Sequence, residues 1–342
     1  MCPPQTRSSG KSGNSPTAAK SGKHNATSTS LGFSPRVVPR PAYPPFSEFL
    51  ISIVKEVFWQ GGVHGIMCAY IFFPLYAAAR SKAVELEISD QVFFALATSA
   101  THSVLYILCN FTFQLFDDYN WFQDYKLERK PYQKAKPALV KKMAVEAFIG
   151  QAVTGPIAAY FLYPLFLHFG MLSLDAPLPS AVDMFKTFVI GHVFNDVGFY
   201  WTHRIAHMKS IYKYVHKQHH EFAGTIGFAA EYANPLEVII SNQIPTVGGV
   251  LFFATHPLCV WVWIGLRLQQ TYEAHSGYCF EGHILNTLWF LHADSAAHHD
   301  HHHTANQGNF GGLYTDYVFG TMDHYQALGG RQGYIDQKVK QK

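Results

Sequence analysis

The sequence predicts an all-α integral membrane protein, with about four transmembrane helices and a cytosolic helical cap that carries a three-histidine-box di-metal site. Three observations predict it. Only 14% of the 342 residues are charged while 48% are hydrophobic, whereas a soluble protein carries about 25% charged residues. Apolar runs of membrane-spanning length recur along the chain. Histidines crowd its far end, with fifteen of the twenty from His203 onward. This composition excludes a disordered polyelectrolyte, a nucleic-acid-binding domain and a coiled coil. The net charge of +3 belongs to a tail: six basic residues and no acidic one precede Glu48, which leaves 20 Lys and Arg against 23 Asp and Glu in the body.

Residues 1–45 are rich in Ser, Thr, Gly, Lys and Pro and lack hydrophobic periodicity. Such a segment buries too little apolar area to offset chain entropy, so it is expected to be disordered. An organelle transit peptide is the alternative; a secretory signal is not, because no apolar stretch follows the early basic residues. Residues 46–182 are expected to hold transmembrane helices, 183–325 the histidine-box region, and 326–342 a cytosolic C-terminal tail. Apolar stretches run from about Val57 to Ala79, Val92 to Phe116, Met143 to Leu172 and Val182 to Trp201. Each approaches the ~20 residues a helix needs to cross ~30 Å of hydrocarbon. A later pair, about Leu236–Ala254 and Pro257–Leu268, is broken at His256-Pro257 and is short for two spans, so a re-entrant hairpin or interfacial helix pair fits it as well as two spans do.

The loops orient these spans. The 118–142 connection holds seven basic residues, whereas 80–90 has Arg80 and Lys82 beside Glu85, Glu87 and Asp90, and 173–182 has none. The positive-inside rule makes the 118–142 loop cytosolic. Four spans then put both termini and every histidine from His203 onward on the cytosolic face. Lys338 and Lys340, fifth and third from the end, resemble the dilysine retrieval signal of endoplasmic reticulum membrane proteins. The five cysteines are odd in number and scattered, which points to reduced, space-filling side chains rather than a disulfide framework.

The histidines fall into three boxes: His203-x-x-x-His207, His216-x-x-His219-His220 and His299-x-x-His302-His303. Residues three and four apart share a helical face, so each box is expected to present its imidazoles together. Eight converging imidazoles exceed the needs of one ion but suit a pair of six-coordinate ions. Histidine-only sites suit iron, copper, nickel or zinc, and the absence of HExxH excludes a zinc protease of that type. Isolated histidines such as His24, His64, His102, His168, His192 and His324 read as satisfied or solvated side chains. Ligand histidines usually donate their other N–H to a carboxylate or carbonyl. Asp196, seven residues before His203, and Glu221, Glu231, Glu273 and Asp300 are the candidates for that role, with a surface or capping role as the alternative.

The triple box at the ends of membrane helices resembles the fatty acid hydroxylase/sterol desaturase superfamily, and within it the 4-methylsterol oxidase (methylsterol monooxygenase) branch. The supporting segments are Asn195-Asp196, Ile211-Tyr212-Lys213-Tyr214-Val215, His220-Glu221-Phe222, Glu231-Tyr232-Ala233-Asn234-Pro235-Leu236-Glu237, His275-Ser276-Gly277-Tyr278 and Phe319-Gly320-Thr321. The likeness covers about residues 183–323. It implies two non-haem iron ions, dioxygen as oxidant, and electrons from NAD(P)H through cytochrome b5 and its reductase. It also implies a ninth ligand outside the boxes, at His275. The reaction implied is stepwise oxidation of a sterol 4-methyl group to carboxylate in sterol biosynthesis, in the endoplasmic reticulum membrane, alongside the other enzymes of sterol 4-demethylation.

The chain departs from the branch at Gln270, where relatives usually have Glu, and at Phe199, where some have His or Asn. His292, His298 and His301 are unassigned. Rival readings are another lipid oxidation on the same scaffold (sterol desaturation, sterol side-chain hydroxylation, fatty-acyl or sphingolipid hydroxylation) and, from another class, a histidine-rich metal transporter. A transporter would carry ligands within the spans. No His-Pro-Gly-Gly motif of a fused cytochrome b5 domain occurs.

Overall fold

The computed structural model describes residues 43–253, 256–280, 283–287 and 293–339. Most of the expected disordered tail, together with His24, His292 and Lys340, lies outside the described residues. Among the described residues the architecture is helical, without strands, and a single isolated bridge joins Lys126 to Tyr278.

Three expected spans have matching helices: α1 (Phe46–Glu85), α2 (Asp90–Asp118), and α3, which runs through Pro137–Ile149, a π-helical turn Gly150–Thr154 and Gly155–His168. Ser89 starts α2 by accepting from the Val92 N–H, with Asp90 in the first turn, where a carboxylate complements the helix dipole. The fourth expected span lies in α4 (Ala181–Ala206), capped by Ser180 through the Asp183 N–H. Its 26 residues make it about 39 Å long. Yet it is not one of the four helical stretches that combine membrane-spanning length with an apolar composition, because it contains Asp183, Lys186, His192, Asn195 and Asp196, the last three buried.

The fourth such stretch is instead α5 (Pro235–Phe253). It falls in the first member of the apolar pair read above as two short spans, a re-entrant hairpin or an interfacial pair. With α6 (Pro257–Ser276), α5 forms a hairpin of full-length helices, about 28 and 30 Å long at 19 and 20 residues. The His256 side chain accepts from the Leu258 N–H and caps α6. His256-Pro257 therefore begins a helix; it does not cut short an apolar pair.

The helix ends sort to two levels. At one, Arg80 pairs with Asp90 and Asp175 at 2.8 Å each, and the His256 ring bonds the Ala176 carbonyl. At the other, the Tyr278 hydroxyl donates to Asp117, the Leu127 N–H to the Gly277 carbonyl, and Phe49 stacks on Tyr317. The seven-lysine-and-arginine connection lies at this second level, with α7 (Ala293–Ala305), α8 (Leu313–Phe319) and α9 (Gly330–Val339) forming a cap.

Phe94, Phe166, Phe188, Met184, Trp261 and Trp263 fill the core between the helices. Ile71, Leu75, Phe148 and Phe161 are more than 65% exposed, an apolar exterior that water would penalise and lipid accepts. The α4–α5 contact depends on small residues. A Cβ at Gly249 would lie 2.8 Å from the Phe194 Cβ and 3.0 Å from the Gly191 Cα, so only glycine lets these backbones approach.

Candidate metal centre

Four elements deliver the histidines to one volume. His203 lies in the last turn of α4, and His207 follows as its C-terminal cap. After a one-turn helix, Tyr212–Val215, come His216 and a 3₁₀ turn, His219–Glu221. His275 ends α6, which stops because Gly277 adopts φ 74°, a left-handed conformation that glycine takes without penalty. A side chain there would also strike Arg129. α7 carries His299, His302 and His303.

All nine histidines of the expected ligand set come together, in two groups. His203, His207, His216, His220 and His302 form the first, and His219, His275, His299 and His303 the second; within each, the nitrogens lie within 4.8 Å of one another. The boxes divide in a way their spacing does not show. The pairs four apart stay together (203 with 207, 216 with 220, 299 with 303), while His219 and His302 cross to the other group. The second box does so from a turn and a 3₁₀ segment rather than one regular helical face.

The protons on these rings can be assigned by their partners. The Nδ1–H groups of His203, His219, His275, His302 and His303 donate to the carbonyls of Phe310, Tyr232, Thr271, Gly308 and Phe222, at 2.6, 3.2, 2.8, 2.7 and 3.0 Å. A carbonyl only accepts, so each Nδ1 carries the proton and each neutral ring directs its Nε2 lone pair inward. The His216 Nδ1–H meets the buried Glu237 carboxylate at 2.7 Å. The inward Nε2 atoms approach one another at 2.9–3.4 Å: His203 to His216 at 3.0, His207 to His302 at 3.1, His299 to His275 at 2.9 and His275 to His219 at 3.4 Å. Lone pairs held so close repel unless a cation lies among them. Five and four imidazole donors fit a pair of octahedral ions and leave each with an open coordination position.

Burial, followed by repulsion among the rings, holds His216, His220, His299, His302 and His303 well below the usual imidazole range. Burial lowers His207 and His219 to about 4. Imidazoles kept neutral at pH 7 are the form that binds metal.

The carboxylate candidates divide differently from expectation. Asp196 meets Arg267 at 3.2 Å, the Tyr314 hydroxyl at 2.7 Å and His192 at 3.1 Å. Glu231 binds His102, Gln151 and Tyr272. Glu221 accepts from the hydroxyl of Tyr232, whose carbonyl holds His219. Asp300 pairs with Arg129 and accepts from Tyr334 and Thr225, and Glu273 is buried in α6. Glu237, the carboxylate on His216, was missed as a ring partner. Its signal was a lone acid at the start of an apolar run, in Asn234-Pro235-Leu236-Glu237. Asp316 was missed as well: its oxygens accept the Phe310 and Gly311 N–H groups at 2.9 and 2.8 Å and fix the carbonyl that holds His203. Of the unassigned histidines, His298 faces Asp316 and Tyr325, and His301 bonds His324 at 2.8 Å.

The family model described as fatty acid hydroxylase matches residues 188–321, which contain all nine histidines. A Dictyostelium discoideum protein that carries the methylsterol monooxygenase name is 35% identical over 234 residues, covering 68% of this chain and 85% of that one. The C-4 methylsterol oxidase of Candida albicans is 33% identical, covering 70% and 78%. A very-long-chain aldehyde decarbonylase of Oryza sativa is 31% identical, covering 68% and 88%. No solved structure matches.

Proposed function

This chain belongs to the fatty acid hydroxylase family, and from that membership we propose that it is a membrane-bound monooxygenase. It oxidises the 4-methyl group of a sterol intermediate stepwise to the carboxylate, with two non-haem irons at the nine histidines. One observation carries the reading: two adjoining groups of neutral imidazoles, with their lone pairs turned inward at 2.9–3.4 Å. An unactivated methyl C–H has no acidic proton and no leaving group, so acid–base or nucleophilic side chains cannot attack it. A redox-active ion pair supplies what is missing, the capacity to use dioxygen against such a bond.

The chain's own residues position and protect. Five backbone carbonyls and Glu237 hold six rings in one tautomer, so their Nε2 atoms are preorganised as donors. The second group is fully buried, and the cap keeps bulk water from it. The apolar exteriors of α1, α2, α3 and α5 give a lipid-dissolved substrate a lateral approach. The site-bearing level is proposed as cytosolic, in the endoplasmic reticulum membrane, with reducing equivalents from NAD(P)H through cytochrome b5.

The deciding experiment is expression in a sterol-producing cell that lacks its own 4-methylsterol oxidase, followed by sterol profiling. Loss of accumulated 4-methylsterols supports the reading. Their persistence, despite stable membrane-inserted protein with near two irons per chain, removes the sterol assignment. Conversion of a long-chain aldehyde by the same protein would then favour the reaction in the Oryza relative's name.

A further inference from the structure

The two histidine groups differ in their access to the outside. All four rings of the second group are buried, whereas His207 and His220 of the first are half-buried. Tyr212, itself half-buried, lies against both, with ring centroids 5.6 and 6.0 Å away. Around these edges basic residues predominate: residues 203–220 contain Arg204, Lys209, Lys213 and Lys217, and the first acidic residue after them is Glu221. Lys209, Lys213 and Lys217 are exposed and form no ion pair among the described residues. The patch is continuous with the start of α3, where Gln218 bonds Glu146 at 2.7 Å and Lys142 stands 3.7 Å from Glu221. Beyond it the exposed Lys134, Lys136 and Lys141 extend the positive field.

We propose that the lysine-rich segment bearing His207, Tyr212 and His220 is the docking face for an acidic, one-electron carrier protein, and that electrons enter through the five-histidine group. The inference rests on the monooxygenase reading. In each hydroxylation one oxygen atom of dioxygen enters the C–H bond and the other leaves as water, which consumes two electrons and two protons. The electrons come from the reduced carrier, one per encounter. Electron transfer falls steeply with distance, so the carrier must seat where the histidines come nearest to solvent. Headgroups of anionic lipids could also meet these lysines. Lysines at any helix end would serve a lipid, however, and only a carrier needs them placed around accessible metal-binding imidazoles. Facing charges of opposite sign steer such encounters and raise their rate, more so at low salt.

The test uses the full chain with iron bound, in nanodiscs of neutral lipid, with the soluble domain of cytochrome b5 as the carrier probe. Combined Lys209→Glu, Lys213→Glu and Lys217→Glu should raise the KM for the carrier about tenfold or more and flatten its salt dependence. A single turnover by protein reduced with dithionite without air, freed of the excess and then given dioxygen should be unchanged. The corresponding Lys→Gln variant should fall between, and Lys82→Glu, on the opposite level, should behave as the unaltered protein. An unchanged carrier KM with that single turnover intact overturns the proposal. So does a defect that appears only when anionic lipid is added, which would assign the patch to headgroups. If the unaltered protein, so reduced, shows no single turnover with dioxygen, the monooxygenase reading fails instead. Direct binding of the carrier then decides the docking face alone: tenfold weaker binding by the Lys→Glu variant supports it, and equal binding refutes it.

Discussion

At the scale of single residues, the site is defined by which ring nitrogen carries a proton. The carbonyls of Phe310, Tyr232, Thr271, Gly308 and Phe222 decide this for five rings, and Glu237 for a sixth. Glu237→Ala is expected to weaken metal binding between about 10- and 100-fold, with Glu237→Gln milder because its carbonyl still accepts from His216; metal content after dialysis measures both. His216→Ala or His302→Ala should abolish turnover and lower the iron content, whereas His324→Ala, which removes only the partner of His301, should do neither. Metal loss in the His324 variant would mean that the ligand set is wrong.

The same rings set a pH dependence. His207 and His219 fall to about 4 in the folded protein, against about 6.5 unfolded. Between those values the unfolded chain binds protons that the folded chain refuses, so stability falls as pH drops from about 6.5 to about 4. The slope approaches about 1.4 kcal/mol per pH unit for each such histidine. Asp316, pushed up to about 6 by burial, acts in the opposite sense, as one group against several. The thermal midpoint of metal-free protein in detergent should therefore fall between pH 7 and pH 5. A constant or rising midpoint would contradict neutral buried imidazoles.

At the scale of elements, small residues and caps decide where helices run and stop. Gly249→Ala puts a methyl group against Phe194 and the Gly191 backbone, an overpacking that costs about 1–3 kcal/mol. It should lower the thermal midpoint by several degrees. Gly150→Ala, with nothing within 4 Å of the new atom, should not. α4 and the α5–α6 hairpin show how far the sequence carries an element. The apolar runs give the right places for helices, but α4 buries His192, Asn195 and Asp196 and leaves Val193, Phe194 and Val197 exposed. The His256-Pro257 break reads as an interruption until His256 is seen capping the helix it begins. Periodicity alone does not say which polar residues face inward.

At the scale of the whole molecule, the chain has an apolar exterior around the helices and a polar cap that gathers the histidines at one level. The basic 118–142 loop lies at that level, and the 86–89 and 169–180 connections lie at the other. Cysteine labelling from the two sides of the membrane should therefore place Lys134→Cys and Lys82→Cys on opposite sides; labelling from one side alone would refute the arrangement. Ions held at the proposed site would join four separate chain segments, so chelation should lower the thermal midpoint, with recovery on adding iron back.

The sequence by itself determined the helical membrane class, the basic side of the molecule and the eight box histidines that gather. Charge deficit, run length and box spacing are properties of the chain alone, and none depends on a neighbour. Only the tertiary structure decided that the histidines divide five and four, that His219 and His302 change groups, and that Glu237, not Asp196, stands behind a ring. Each of these is a contact between residues distant in the chain, and spacing along one segment cannot specify where another segment's carbonyl or carboxylate will lie. His275 marks the boundary: in the sequence it enters through a family likeness, and in the structure through the Gly277 turn that ends α6 beside His299.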